Sequence, residues 1–304
     1  MNQQVKTNII NYNYIYYFLY LKIYLYKNFA LFPDNKVFKM GENIINKQIF
    51  GGDCVIDFIK AVKRPFSDFR KFGLGFLFGL VPIVNFFVGG YSLACARSAE
   101  KKKYELPEWR EFGSLFLHGI LGAVICFLYF VPAMIFMAAC IGLMVRWLGT
   151  AYPWSAIGPV LSQPAEQMMP ALETLLAGMP IGGIIVLLTA AFALLVLASY
   201  VLPSALLFYV SRWKFNDAFD FKGILRKAFT SNYFVLWLLI AVYSIAFRYA
   251  ANYTIGLIPT VGAMMADSLA AFVIGVTCMT VFGELFYSKG NASRKKKSSK
   301  RKRK

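Results

Sequence analysis

The stretch "FGLGFLFGLVPIVNFFVGGYSLACA", Phe72–Ala96, contains no charged residue, and basic residues flank it on both sides. Its middle is Gly79-Leu80-Val81-Pro82-Ile83-Val84-Asn85. Either it crosses a membrane once with a proline kink, or it enters and leaves by the same face. Glycine and proline at the centre favour a turn, because proline removes a backbone donor and glycine accepts conformations other residues avoid. The arms on either side of Pro82 are too short to cross a hydrocarbon core of about 30 Å.

The remaining apolar runs read as spans: Leu115–Val145, Ile181–Val210, Tyr233–Ala250 and Leu269–Tyr287. Each approaches or exceeds the roughly 18–20 apolar residues a spanning helix needs. Charged residues make up 16% of the 304-residue chain, against about 25% in soluble domains. No alternating ten-residue pattern of a membrane barrel is present. The fold class is therefore all-α: a multi-pass transmembrane helical bundle of four spans plus a re-entrant Pro-turn hairpin, with five spans as the alternative. Pro132 and Pro203 lie inside two of the runs, where neighbouring helices satisfy the freed backbone groups. Leu115–Val145 is long enough that it must tilt, kink at Pro132 or emerge from the bilayer.

Charge distribution chooses between the two topologies. If Phe72–Ala96 spans, Lys and Arg divide 20 to 7 between the two sides; if it re-enters, they divide 25 to 2. Basic residues mark the cytoplasmic side, so the hairpin reading puts both termini in the cytoplasm of a cell-membrane protein. Arg146 and Arg248 alone are left outside, each at a helix end.

Two pieces recur. Asp57–Ser67 (DFIKAVKRPFS) aligns without gaps with Asp220–Thr230 (DFKGILRKAFT), and Gly79–Asn85 (GLVPIVN) matches Gly256–Gly262 (GLIPTVG). The sequence thus predicts an internal duplication, each copy a basic amphipathic segment, an apolar helix, a Pro turn and a second apolar helix. Gly79, Pro82, Asn85, Gly256, Pro259 and Gly262 are the candidate turn residues. The second copy is longer, 36 residues from Asp to Gly-Leu against 22, enough to let its hairpin cross the bilayer.

Three regions follow. Residues 1–39, rich in Asn, Ile, Tyr and Lys, lack the pattern of a signal peptide; they read as an upstream extension ahead of a start at Met40, or as an extra span over Ile9–Phe32. Residues 40–288 form one membrane domain. Residues 289–304 hold ten of the 33 Lys and Arg. Their composition predicts a disordered polybasic cytoplasmic tail. Arg294, Lys295, Lys296, Lys297, Lys300, Arg301, Lys302, Arg303 and Lys304 are candidate contacts for anionic lipid headgroups; nucleic acid is the weaker alternative.

The stretch "AVKRPFSDFRKFGLGFLFGLVPIVNFFVGGYSLACARSAEKKKYELPEWREFGSLF" resembles the start of the prokaryotic membrane-protein family catalogued as domain of unknown function 4013. Arg64-Pro65-Phe66, Val81-Pro82-Ile83-Val84-Asn85, Gly90-Tyr91, Arg97 and Leu106-Pro107-Glu108-Trp109 carry the resemblance, with Phe219-Asp220-Phe221 and Ile258-Pro259 later. It extends over roughly Cys54–Tyr287. It implies an integral membrane protein of bacteria or archaea and supplies no activity.

No chemistry-bearing constellation is legible. The five cysteines show no CxxC spacing and read as small apolar residues. Glu284 and Asp267 read as interfacial carboxylates at the ends of the last span. His118, the single histidine, reads as a packed side chain, and residues 97–111 as a solvated loop anchored at the interface. No catalytic residue, cofactor or metal is expected. The chain reads as a non-enzymatic membrane protein of unknown specific role, organising lipid or protein partners; a channel or transporter for a small, weakly charged solute is the alternative.

Overall fold

A computed structural model describes residues 57–99, 104–152, 164, 170, 178–259 and 261–301, with side chains up to Tyr287. The region before Met40 and the side chains of the basic tail lie outside the described residues. The described residues are helical, with no strand among them.

The first helix, α1 (Phe58–Lys63), is capped by Asp57, whose carboxylate accepts the Lys60 N–H. A single 3-10 turn, Arg64–Phe66, follows, with Pro65 where its missing donor does no harm. Then α2 (Phe69–Gly79) starts on Asp68, whose side chain accepts from the N–H groups of Arg70 and Lys71. It stops at Gly79, the chain turns through Leu80–Val84, and α3 (Asn85–Ala99) returns. The opposed directions of the two arms show in their neighbours. Gly75 and Gly79 lie on Phe272 and Ser268, going one way along the last helix; Ser92 and Ala96 lie on Gly275 and Gly283, going the other. The arms have 11 and 15 residues, about 16 and 22 Å, so neither crosses.

The hairpin tip is open on one side. Non-helical backbone at membrane depth ordinarily lies buried against protein, yet Val81 and Ile83 are 48% and 69% exposed. The turn satisfies much of its own backbone: Leu80 N–H donates to Leu77, Asn85 to Val81, Phe86 to Ile83 and Phe87 to Val84. The apolar side chains can then face lipid.

Four helices are long and apolar enough to cross a membrane: α4 (Phe112–Ala151), α5 (Ile181–Arg212), α7 (Ser231–Thr254) and the Gly262–Tyr287 part of α8 (Gly262–Arg301). The protein is a multi-pass helical membrane protein. Pro132 and Pro203 both sit inside continuous helices. At 40 residues, α4 is about 60 Å long and must emerge from a 30 Å core.

Between α5 and α7 lie a 3-10 segment, Phe215–Phe219, and a short helix, α6 (Phe221–Ala228), capped by Asp220 through the Gly223 N–H. Asp57 and Asp220 therefore cap α1 and α6 alike, each with Phe as the next residue. Helix α6 folds back along α5: Gly223 meets Phe208, the Ser204 hydroxyl donates to Ile224 O, and the Tyr200 hydroxyl donates to Ala228 O. At the α7–α8 turn, Gly256 and Gly262 press on the Asn252 and Ile255 carbonyls, leaving no room for a Cβ.

Helix α8 is the centre of the bundle. Of its most apolar 18-residue window 72% is buried, against 17%, 17% and 22% for α4, α5 and α7. Phe72, Phe76, Tyr91 and Phe272 form one core on it; Leu207, Tyr209, Tyr233 and Phe282 belong to a second. Beyond Tyr287 the backbone of α8 continues as helix to Arg301 through the run whose composition predicts disorder. Extending a helix already nucleated by a packed span needs no new nucleus.

Candidate functional site

The basic ends of α1, α3, α5 and α6 gather at one end of the bundle, together with the start of α4. Arg64 lies deepest there. Its side chain is 1% exposed. One guanidinium nitrogen donates to Cys95 O (2.9 Å) and Thr280 Oγ1 (2.8 Å); the other donates to the Ser98 hydroxyl and to Glu105 O (3.1 Å). Every one of these acceptors is neutral, and Nε, also buried, has no acceptor. Among the described residues no carboxylate lies within ion-pair distance of Arg64. Charge counting on the sequence treats Arg64 as a topology signal; the structure makes it a structural cation instead.

Glu284 differs from its interfacial reading as well. It is 6% exposed and accepts the Asp57 N–H at 3.3 Å. Burial raises the Tyr104 hydroxyl above the usual phenol range, and the neighbouring Glu284 carboxylate adds to the rise. Asp267, by contrast, is exposed and meets Arg248 at 3.5 Å at the far end.

The loop before α4 is docked rather than solvated. Leu106 and Trp109 are buried. Trp109 stacks on Tyr91 with ring centres 4.0 Å apart and planes 6° from parallel, and its indole N–H donates to Lys71 O. The Tyr91 hydroxyl donates to Pro107 O, and the Lys71 ammonium reaches Glu108 at 2.7 Å and Leu106 O at 2.9 Å. Leu106-Pro107-Glu108-Trp109 thus clamps the loop across the hairpin. A Cβ on Gly90 would strike the Leu115 carbonyl, and one on Gly119 the Phe86 carbonyl. Those two glycines bring α3 and α4 into backbone contact.

Beside this clamp opens a cleft of about 590 Å³. Arg97, Arg110, Ser98, Ser114, His118 and Trp213 face it, as do Glu108 and Glu111. His118 Nδ1 lies 2.7 Å from the Tyr209 hydroxyl, and its ring stacks on Trp213 at 3.7 Å. The Arg97 guanidinium sits 5.9 Å from the Trp213 ring centre. Glu111 and Trp213 both have φ of 55°, the left-handed region, and are the only non-glycine residues described there. Such a conformation costs about 1–3 kcal/mol per residue and collects at functional sites.

Residues 73–256 match the family described as Protein of unknown function (DUF4013). The chain belongs to this family. The match is narrower than the Cys54–Tyr287 expected from the motifs: it leaves out α1, Arg64, the first residues of the hairpin with Lys71, and α8, and takes in the rest of the hairpin, Leu106–Trp109 and the whole cleft lining. No curated protein and no solved structure matches the chain.

The six candidate turn residues sit away from this cleft. Gly79 and Asn85 bound the α2–α3 turn around Pro82; Gly256, Pro259 and Gly262 belong to the α7–α8 turn. No group of three or more His, Cys, Asp or Glu able to hold a metal occurs among the described residues. Of the described cysteines, Cys95 and Cys140 are buried and Cys126 and Cys278 partly so.

Proposed function

We propose that this is a non-enzymatic protein of the cell membrane that organises anionic lipid at the cytoplasmic face, with both termini inside. The observation that carries this reading is the outer face of α6. Phe221, Leu225 and Phe229, four residues apart along one stripe, are 56%, 39% and 66% exposed. Lys222 and Arg226 are exposed beside them. A helix with apolar residues on its outer face flanked by cations lies in the headgroup layer and favours anionic lipid. The following residues border an apolar groove of about 520 Å³ between α5 and α7, lined by Leu197, Phe234 and Trp237 and suited to an acyl chain. The basic tail, Arg294–Lys304, would add charge on the same side, with lipid preferred over nucleic acid because the tail is tethered at the bilayer. The shared Asp-Phe caps of α1 and α6 and the paired Pro turns support descent of the two halves from one duplicated unit, whose second copy has kept its membrane-facing helix uncovered.

A spin label on Leu225→Cys in nanodiscs tests the reading. It should be relaxed by oxygen, which concentrates in lipid, and shielded from a water-soluble nickel reagent. Purified protein should retain anionic over neutral lipid, and K222E/R226E should lose that preference. A label open to nickel, with no lipid preference, would sink the proposal. Solute flux in proteoliposomes would favour the transporter reading instead.

A further inference from the structure

We propose that the cleft between the Pro107–Glu108 clamp, the start of α4 and Trp213 is a binding site for a phosphate group. This goes beyond the lipid-facing role of α6, which uses none of these residues. Four observations converge. The cavity, about 590 Å³, has the volume of a small-ligand pocket. Arg97 and Arg110 face it, and no described carboxylate pairs with either. Arginine's planar fork suits phosphate oxygens. Behind the wall lies Arg64, a buried guanidinium that makes no ion pair with a described carboxylate; the Ser98 hydroxyl that accepts from it lines the cleft. The two left-handed residues, Glu111 and Trp213, both line it.

The carboxylates must be weighed against this. Glu108 is held by Lys71 at 2.7 Å, so its charge is answered outside the cleft. Glu111 remains, as the N-cap residue of α4, and makes no capping bond with its side chain. The first turn of that 40-residue helix therefore leaves the N–H groups of Phe112, Gly113 and Ser114 without a side-chain cap, and the partial positive charge of the helix end offsets part of one carboxylate. With Glu108 answered by Lys71, which also pairs with Asp68, Arg97 and Arg110 in the cleft and Arg64 behind it oppose Glu111, so the region favours an anion.

Phosphate reaches such a site either free in solution or on a lipid headgroup, and the test separates the two. The full chain, purified in an uncharged maltoside detergent, is titrated calorimetrically at constant ionic strength with inorganic phosphate, and separately with dioctanoyl phosphatidic acid. Binding of inorganic phosphate identifies a soluble phosphate compound as the ligand; binding of phosphatidic acid alone identifies a headgroup. In either case R97Q and R110Q should each weaken binding about ten-fold, the worth of one charge-assisted hydrogen bond. R97K should recover part of the loss, and K222E/R226E on α6 should leave calorimetric binding of phosphate unchanged. Both glutamine variants replace exposed side chains, so folding is retained and checked by melting. No heat with either probe, or unaltered binding in R97Q and R110Q, would overturn the proposal.

Discussion

The α3–α4 crossing predicts opposite outcomes for one chemical change. In Gly90→Ala the new Cβ would meet the Leu115 carbonyl, with Gly119 N also only 3.1 Å away. Both obstacles are backbone, so no side chain can rotate aside and the two helices must separate. Overpacking costs about 1–3 kcal/mol, and rigid obstacles place this site at the upper end. Alanine's higher helix propensity returns about 1 kcal/mol, leaving about 2 kcal/mol of net destabilisation. For a chain of this size that lowers the melting temperature by about 4–8 °C. Gly142→Ala, farther along α4, meets nothing within 4 Å. It gains the propensity without the clash and should raise the melting temperature by about 2–4 °C. Melting in detergent, followed by the fluorescence of a thiol dye on the buried cysteines, reads both. If Gly90→Ala melts at or above the parent temperature, or Gly142→Ala falls as far as Gly90→Ala, close helix contact at Gly90 is not what holds this crossing.

Trp109→Ala removes a stacked aromatic pair and a hydrogen bond and should cost about 3–5 kcal/mol, seen as protease cleavage in residues 104–111 that the parent resists. Asp68 should make stability acid-sensitive. Slight burial pulls its pKa up, but the Lys71 and Arg70 N–H groups and the Lys71 ammonium outweigh it, so the folded value lies below the ordinary 3.8. Its contribution is complete above that pH and lost as pH falls through the lower folded value; melting curves between pH 6 and 2 should show a drop there that Asp68→Asn lacks. In intact cells, a single cysteine replacing the exposed Lys60 should resist a membrane-impermeant thiol reagent, while one at Thr150 should react; the reverse pattern would invert the proposed orientation. A synthetic peptide of Asn291–Lys304 should bind vesicles containing anionic lipid, ignore neutral ones and release as salt rises; equal binding to both would remove the tail from the lipid reading.

The spans were legible because lipid demands long apolar runs, and nothing else in a chain produces them. The hairpin was legible for a related reason: Gly79 and Pro82 interrupt a run whose arms cannot each cross. What escaped was decided by partners distant in sequence. Arg64 looks like any basic residue until Thr280, more than two hundred positions away, closes over it. Trp109 lies in a charged stretch, and only the face of Tyr91 shows why it is buried. The cleft joins residues 94–118 to Trp213, and no local spacing announces that meeting. Glu284 sits near a helix end, where sequence suggests water, but α1 folds over it.

The position of α8 sets an order of events during synthesis. It is the last of the described helices to leave the ribosome, yet it is the one the others pack around. Until it arrives, Gly75, Gly79, Ser92 and Ala96 have nothing to pack against, and the Arg64 guanidinium lacks its Thr280 acceptor. The residues ahead of Gly262 must therefore wait in the membrane without their central helix, held by lipid and by the contacts they make among themselves, α3 on α4, α4 on α5 and α6 on α5. Completion of the bundle becomes a late step, and a chain cut short before Gly262 leaves the inserted helices without the one they pack around.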